Sequence, residues 1–552
     1  MPYKSKWPHL DIPNCNILSY LYPYDKPISN KPLWIDAAVP EKSLSPSQML
    51  SWVKRLAVAL DKLGIKKEQA VVVFTPNHIF VPMVYLAAAG SGRCFSGVNP
   101  AYTAHEVAYQ LKTIEAAVVL IHPTLLKTGI EAARLAGIPK NRLFQFTDSE
   151  SETVNGVIDW RSIAVSAQET EDWQWDNLGD KALTTVATIN FSSGTTGFPK
   201  GVCITHHNLV SNTAQGMYNR LTDNGFLQEE SKPARWLAML PLYHAYSQLY
   251  TINIALKLGV EVYVMQSFIF DNYLRYIEKY RINQVQTVPP VIVMLAKRPE
   301  VAKYDLSSLE LILCGAAPLK SEMQNQVSKR FNLVIVQAWG MTEVTCLGLA
   351  IQGDENDQTG SVGNLLPNTE AMLIDEKGKE VMKEGEPGQL WLRGPQILLG
   401  YWRNEEATKE SKTEDGWFKT GDVAVYKDEK FWMVDRKKEL IKVNGLQVAP
   451  AELEAVLLEH AEIVDAAVVG INLQNDEWPR AYVVLRKDSQ VREEEIQKWV
   501  EGMVAKHKRL VGGVMFVNEV PKLASGKIMR KVLKEWAKVD AKKMKGMVKA
   551  RF

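Results

Sequence analysis

The sequence predicts an α/β fold: a large amino-terminal domain of two α/β layers with a β-rich subdomain, followed by a small α+β carboxy-terminal domain. Three observations carry that expectation. At 552 residues, 46% of them hydrophobic and 23% charged, the chain is too long for one compact core. Short β-branched runs alternate with helix-length amphipathic segments through the first half, which is the rhythm of βαβ units and parallel sheet. From Gly360 onward the texture changes to short strands and turns, and after Asp435 it changes again.

The first run of βαβ units reads as strand Ala70 to Phe74, helix Phe80 to Ala89, strand Ala117 to Ile121 and helix Leu125 to Ala136. A second run reads as Val260 to Met265, Tyr273 to Tyr280, Gln284 to Val288, Leu309 to Cys314, Lys320 to Phe331 and Leu333 to Gln337. Gly363, Asp375 to Gly378, Glu386-Pro387-Gly388 and Arg393-Gly394-Pro395 punctuate the β-rich part. The charged cluster Asp435 to Glu439 precedes helix Glu452 to His460, strands Ile463 to Val469 and Ala481 to Leu485, and helix Glu493 to Lys506. The expected domains are therefore 1–435 and 436–552. Lys531 to Phe552 carries eight basic residues against Glu535 and Asp540, and reads as a solvated helix face.

Composition excludes several classes of function. The formal charge of +2, from 65 basic against 63 acidic residues, provides no global field for nucleic acid or membrane. Cys15, Cys94, Cys203, Cys314 and Cys346 stand singly, which fits a reducing compartment rather than a disulfide or zinc framework. Residues 1–13 lack the apolar core of a secretory signal, and Pro76, Asn77, His78 and Pro82 interrupt the most apolar stretch, so no membrane span is expected. The expected location is cytoplasmic. Ala550-Arg551-Phe552 loosely matches the small-basic-leucine peroxisomal address, with Phe in the place of Leu.

The strongest chemical signal is Phe191 to Gly201, in which Ser192, Ser193, Gly194, Thr195, Thr196 and Gly197 precede Lys200 after a strand at Val186 to Asn190. Glycine admits a phosphate close to the backbone, four hydroxyls donate hydrogen bonds, and Lys200 adds positive charge. Pro199 and Gly201 depart from the Walker A pattern. The segment resembles the phosphate loop of the adenylate-forming superfamily of acyl- and aryl-CoA synthetases, luciferase-like enzymes and peptide-synthetase adenylation domains. Further segments resemble the other motifs of that superfamily, in its order.

Residue roles follow from the resemblance. In Leu240 to Tyr246, His244 and Tyr246 would line the acyl pocket, with Leu313, Gly315 and Ala316 on its wall. In Gln337-Ala338-Trp339-Gly340-Met341-Thr342-Glu343, the ring of Trp339 would stack on the purine, Thr342 would meet the α-phosphate and Glu343 would hold Mg2+. The family more often has Tyr at position 339, and replacing it is expected to matter little. Asp422 and Arg436 would bind the ribose. Lys438 falls at the hinge, with Lys442, Gly445 and Gln447 facing the thioester-forming step, and Lys527, in Pro521 to Ile528, would bridge the acid and the α-phosphate of ATP.

The resemblance thus implies a mobile small domain and an ATP-dependent acid–thiol ligase of the coumarate-CoA-ligase and fungal acyl-CoA-ligase branch. ATP, Mg2+ and coenzyme A are the implied cosubstrates and cofactor, and an aryl or medium-chain acid the implied substrate. A stand-alone enzyme loading a carrier-protein phosphopantetheine shares the motifs, although no carrier domain follows Lys527. A luciferase-like oxygenase would also share them. A silent nucleotide or acyl-binding module would tolerate loss of Lys200, Glu343 or Lys527, all of which are present. No strand-linked G-x-G-x-x-G supports a nucleotide-dependent oxidoreductase.

Overall fold

The computed structural model describes residues 2–192, 199–221, 234–353, 355–443, 446–473, 476–523 and 526–549. Ser193, Gly194, Thr195, Thr196, Gly197, Gly445 and the tripeptide Ala550-Arg551-Phe552 fall outside them.

Two large sheets form the body of the chain, and the expected βαβ segments supply their centres. In the first sheet the spatial order is Gly400–Tyr401, Lys200–Thr205, Val186–Ser192, Cys94–Val98, Ala70–Phe74, Val118–Ile121, Leu143–Gln145 and Ile158–Asp159. Pairing is parallel from Val186–Ser192 outward to Ile158–Asp159, and antiparallel at the other edge, where Lys200–Thr205 and Gly400–Tyr401 add on. Both faces of Ala70–Phe74 are covered: Val71 and Val73 point into the core shared with the second sheet, and Ala70, Val72 and Phe74 into a satellite core. This burial on two sides is why the strand reads as an unbroken apolar run.

The second sheet runs Asn364–Leu365, Leu349–Ala350, Val334–Trp339, Leu311–Cys314, Gln284–Thr287, Arg235–Ala238, Glu261–Val264, Trp34–Asp36 and Ser43–Leu44. The two sheets sandwich the all-buried helix Val81–Gly90. Helix starts follow local chemistry. Ser45 with Gln48, and Thr103 with Glu106, form capping boxes for Pro46–Lys62 and Ala104–Thr113.

The β-rich part is an antiparallel sheet of Tyr3–Lys4, Glu370–Ile374, Pro387–Arg393, Phe418–Lys427 and Lys430–Arg436. It places Asp422 opposite Arg436 on adjacent strands.

The carboxy-terminal part has a sheet of Ile463–Leu473, Asp476–Leu485 and Val514–Phe516. On one face it carries helices Pro450–Glu459 and Glu493–Glu501, and on the other helix Arg530–Lys549. One expectation changes here. Helix Glu493 ends at Glu501 rather than Lys506: Gly502, a poor helix former, closes the last turn and a 3-10 turn, Lys506–Lys508, follows. The final helix has its solvated face and a buried one as well: Leu533, Ala537 and Asp540 are buried, and Asp540 accepts hydrogen bonds from Arg480 (2.8 Å) and Tyr482 (2.9 Å).

All five cysteines are buried and unpaired, and no helix among the described residues is long and apolar enough to cross a membrane.

Arg530 knots the small domain together. Its guanidinium donates to both carboxylate oxygens of Glu454, to Glu439 (2.7 Å) and to the carbonyl of Val468 (2.8 Å). Glu454 is buried, so removing the cation strands a carboxylate away from water. Arg530→Met is expected to destabilise the small domain by about 3–5 kcal/mol, read as a shifted urea midpoint for a probe such as Trp536 fluorescence.

Candidate active site between the two domains

A cleft of 1220 Å³ opens between the large domain and the carboxy-terminal domain, and eight of the predicted site residues converge on it. Ala316, Ala338, Trp339, Gly340, Asp422, Arg436, Lys438 and Lys527 line it directly. A smaller recess beside it is bounded by Asn190, Phe191, Tyr243, His244 and Thr342.

Each wall is positioned by its own strand. Trp339 ends the strand Val334–Trp339, and Gly315 and Ala316 follow the neighbouring strand Leu311–Cys314, so the two turns leave the same sheet edge side by side. Ala316 holds φ +71°, a left-handed conformation that costs a non-glycine residue of order 1 kcal/mol and is typical of ligand-facing turns. Tyr246 caps this wall. Its hydroxyl donates to the carbonyl of Leu313 (2.9 Å), so the phenol is engaged and the side chain offers an aromatic ring, edge-on to Tyr250 at 5.5 Å.

Tyr401 links two predicted residues that the sequence reading left separate. Its hydroxyl donates to Glu343 Oε1 (3.1 Å), and the Lys200 ammonium lies over its ring at 5.1 Å. Gly400–Tyr401 pairs with Val202 and Cys203, which brings a residue two hundred positions downstream beside Lys200. Gly400-Tyr401 carries no local motif that would have revealed this. Ser192 reaches the same edge with a buried hydroxyl that has no hydrogen-bond partner among the described residues.

Lys527 arrives from the other domain. Gly526 holds φ +79° while its α-carbon sits so close to the large domain that a β-carbon would stand 2.9 Å from Val288. Only glycine meets both demands. A second tie comes from Lys297, at the end of helix Pro289–Lys297, whose ammonium donates to the carbonyls of Leu458, His460 (3.4 Å) and Ile463 (2.7 Å) where helix Pro450–Glu459 ends. A cation among the free carbonyls of a helix C-terminus is electrostatically favoured. Burial nevertheless lowers its pKa to about 8, and Arg486 adds to the effect. The sequence reading missed Lys297, because a lysine ending an apolar helix gives no sign of its partners.

The electrostatics of the cleft are those of a cation cluster. Burial, then the Arg436 guanidinium, lower the pKa of Lys527, against the opposing fields of Asp422, Glu343 and Glu439. Burial, then Arg436 and Lys200, push Lys438 down to about 8. His244 falls to about 3 through burial and the nearby Lys527, so its imidazole is neutral at physiological pH. Its Nδ1 accepts the backbone N–H of Tyr246 (3.2 Å), which leaves Nε2 to carry the proton.

Other predicted residues lie elsewhere. Gln337 turns inward, donating to the Leu319 carbonyl (2.9 Å) and Gln324 (2.7 Å), and serves the sheet edge rather than the cleft. Lys442 and Gln447 sit on the exposed hairpin Ile441–Val443 and Leu446–Val448, outside the cleft lining, where Gln447 donates to Glu376. Met341 packs against the main core, half-buried. At Trp339 the structure adds a contact that the motif does not announce: its indole N–H donates to Asp422 Oδ2 at 2.8 Å.

This arrangement can now be set beside known proteins. A family model described as AMP-binding enzyme matches residues 26–402, and one for the AMP-binding enzyme C-terminal domain matches residues 452–527. The chain belongs to the AMP-binding enzyme family. Among its relatives, a phenylacetyl-CoA ligase of Aspergillus niger is 36% identical over 536 residues, covering 95% of this chain and 97% of the relative. A probable 4-coumarate–CoA ligase of Dictyostelium discoideum is 34% identical over 550 residues, covering 97% of each. The crystal structure of ATP-bound MatB from Rhodopseudomonas palustris superposes with a TM-score of 0.81 at 25% identity, covering 96% of this chain and all of that one. An anthranilate CoA ligase solved with anthranoyl-AMP reaches a TM-score of 0.85 at 21% identity, covering 96% and 99%, and shares the fold. The family membership accounts for the order of the motifs; the contacts through Tyr401, Lys297 and the Trp339 indole come from this chain's own structure.

The histidine supplies a test of the geometry. In NMR spectra of protein labelled at histidine, His244 is expected to show no midpoint between pH 5 and 8. Because Lys527 is one of the two causes of its depression, Lys527→Ala should move that midpoint upward.

Proposed function

We propose that the chain is an ATP-dependent acyl-CoA ligase, converting a carboxylic acid and ATP to an acyl-adenylate and pyrophosphate, then transferring the acyl group to coenzyme A with release of AMP. The observation that carries this reading is the convergence of Lys200, Glu343, His244, Asp422, Arg436 and Lys527, drawn from both domains, around one cleft and its side recess.

The first step joins a weak nucleophile to a polyanion, so positioning and charge neutralisation matter more than proton transfer. A carboxylate oxygen of the acid attacks the α-phosphorus, and the bond from that phosphorus to the bridging oxygen breaks, releasing pyrophosphate. Lys527 neutralises charge on the attacking carboxylate and the α-phosphate. Lys200 faces the departing phosphates. Neutral His244 donates a hydrogen bond toward the acid. Asp422 and Arg436 hold the ribose, and the wall from Ala316 to Trp339 and Gly340 borders the purine.

Glu343 fits a magnesium ion: it is a buried carboxylate with about four acceptor positions, of which Tyr401 takes one, and such an ion draws its other ligands from phosphate and water. Bound there, it would neutralise phosphate charge.

In the second step the sulfur of coenzyme A attacks the acyl carbonyl and AMP leaves. Lys442 and Gln447, on an exposed hairpin outside the lining, fit a rotation of domain 436–552 about Lys438 that exchanges them for Lys527. The pocket supports an aryl or medium-chain acid. Leu313 and Ala316 are apolar, Tyr246 presents a ring whose hydroxyl is already engaged, and the A. niger relative is named for an aryl acid.

The test measures the two half-reactions separately. Wild-type protein with ATP, Mg2+ and a panel of phenylacetic, cinnamic, benzoic and C6 to C12 acids should release pyrophosphate, and on adding coenzyme A yield an acyl-CoA identified by mass. Lys527→Ala should lower adenylate formation by about 100-fold or more while leaving thioester formation from supplied acyl-adenylate within a few-fold. Equal loss of both steps would remove Lys527 from its assigned role, and absence of pyrophosphate release with every acid would favour a silent binding module.

A further inference from the structure

Trp339 and Asp422 come from different sheets, and a single hydrogen bond joins them across the cleft wall. The indole Nε1–H donates to Asp422 Oδ2 at 2.8 Å, while Asp422 Oδ1 faces the Arg436 Nε at 3.4 Å. Both residues are buried and both line the cleft. The ring has little freedom, because a β-carbon on Gly348 would stand 2.7 Å from its Cζ3 and Leu392 packs alongside Gly348. The carboxylate backbone is held as well: the Asp422 N–H donates to Thr420 Oγ1 (3.1 Å), which itself donates to the Leu390 carbonyl (2.7 Å).

What remains free is the rotation of the carboxylate group, a broad and nearly two-fold torsion. The cations that face it, Arg436 and Lys527, both pull on that rotation, with Glu439 opposing from nearby. A guanidinium prefers to take both oxygens of a carboxylate at once. Were it to do so here, Asp422 would have few acceptor positions left for a ligand. The indole N–H holds one oxygen out of that fork.

We infer that Trp339 is a positioning and specificity residue: by holding one oxygen of Asp422 away from Arg436 it keeps the carboxylate open to the two ribose hydroxyls, and so sets the preference for ATP over its deoxyribose analogues. The inference rests on the ribose role proposed for Asp422. A phenylalanine or tyrosine ring offers no N–H at this point, so the device belongs to the tryptophan rather than to aromaticity. Stacking on the purine and holding the carboxylate are separable contributions: the first acts equally on ATP and 2′-deoxyATP, the second does not.

The experiment compares wild type with W339F and with a variant carrying 3-benzothienylalanine at position 339, which keeps the bicyclic shape and replaces the N–H by sulfur. KM and kcat are measured for ATP, 2′-deoxyATP and 3′-deoxyATP. Both variants are expected to raise KM for ATP about tenfold, the loss of one charge-assisted hydrogen bond, with kcat and the KM for the acid changed less than twofold and the preference for ATP over the deoxy analogues reduced. In a D422N background the same substitutions should add little.

A benzothienyl variant with wild-type KM and wild-type preference would overturn the inference. So would a loss in both variants that is equal for ATP and the deoxy analogues. If wild type releases no pyrophosphate with any acid, the ligase reading fails, and calorimetric binding of the three nucleotides to the same proteins decides the role of Trp339 on its own.

Discussion

Lys200, Arg436, Lys438 and Lys527 stand within one another's fields in a cleft that strips much of their water, and the architecture around the cleft answers to that repulsion. Asp422, Glu343 and Glu439 offset part of it, and two of those carboxylates are themselves held in place by hydrogen bonds from aromatic residues, Trp339 and Tyr401. The balance is incomplete: burial first, then the charges of Arg436 and Lys200, push Lys438 down to about 8, and an anion bound beside it would oppose both effects. A nucleoside triphosphate supplies that anion.

The same repulsion explains why the small domain needs positive fastening. Lys527 is carried into a field of like charge, so its domain must be held there by contacts elsewhere. Lys297 among three carbonyls and the close seating of Gly526 on Val288 provide them. One contact is polar and made with carbonyls that water can also satisfy, and the other is a small apolar seat on Val288 and Pro290. Contacts so few hold a domain without locking it, which suits the rotation proposed above.

Much of this was legible in the sequence. The βαβ rhythm gave the strands Ala70–Phe74 and Leu311–Cys314 within two residues, because strands covered on both faces are apolar throughout. Trp339, Asp422, Arg436 and Lys527 were legible through their motifs and do meet at the cleft. Tyr401 and Lys297 were not, since Tyr401 meets Glu343 from 58 residues away and Lys200 from about two hundred, Lys297 meets carbonyls more than a hundred and sixty residues away, and these groups come near only by sheet pairing or domain docking. The N–H contact of Trp339 was not legible for a related reason: residue type predicts a ring, but which sheet stands opposite its edge is a tertiary fact. The helix ending at Gly502 was misread because an amphipathic pattern persists past the residue that closes the last turn.

The last helix has a consequence of another kind. Every residue assigned to the chemistry precedes it, yet Leu533 and Ala537 cover the face of the small sheet formed by Ala467, Val469, Ile471 and Tyr482, and Asp540 satisfies the buried Arg480. A chain clipped just after Lys527 would keep a full set of functional groups and lose the cover of half its smaller core. In a cell such a fragment would present bare apolar strand surface to chaperones and proteases. The helix therefore acts as a seal on the small domain: the persistence of the catalytic groups depends on residues that lie beyond the last of them.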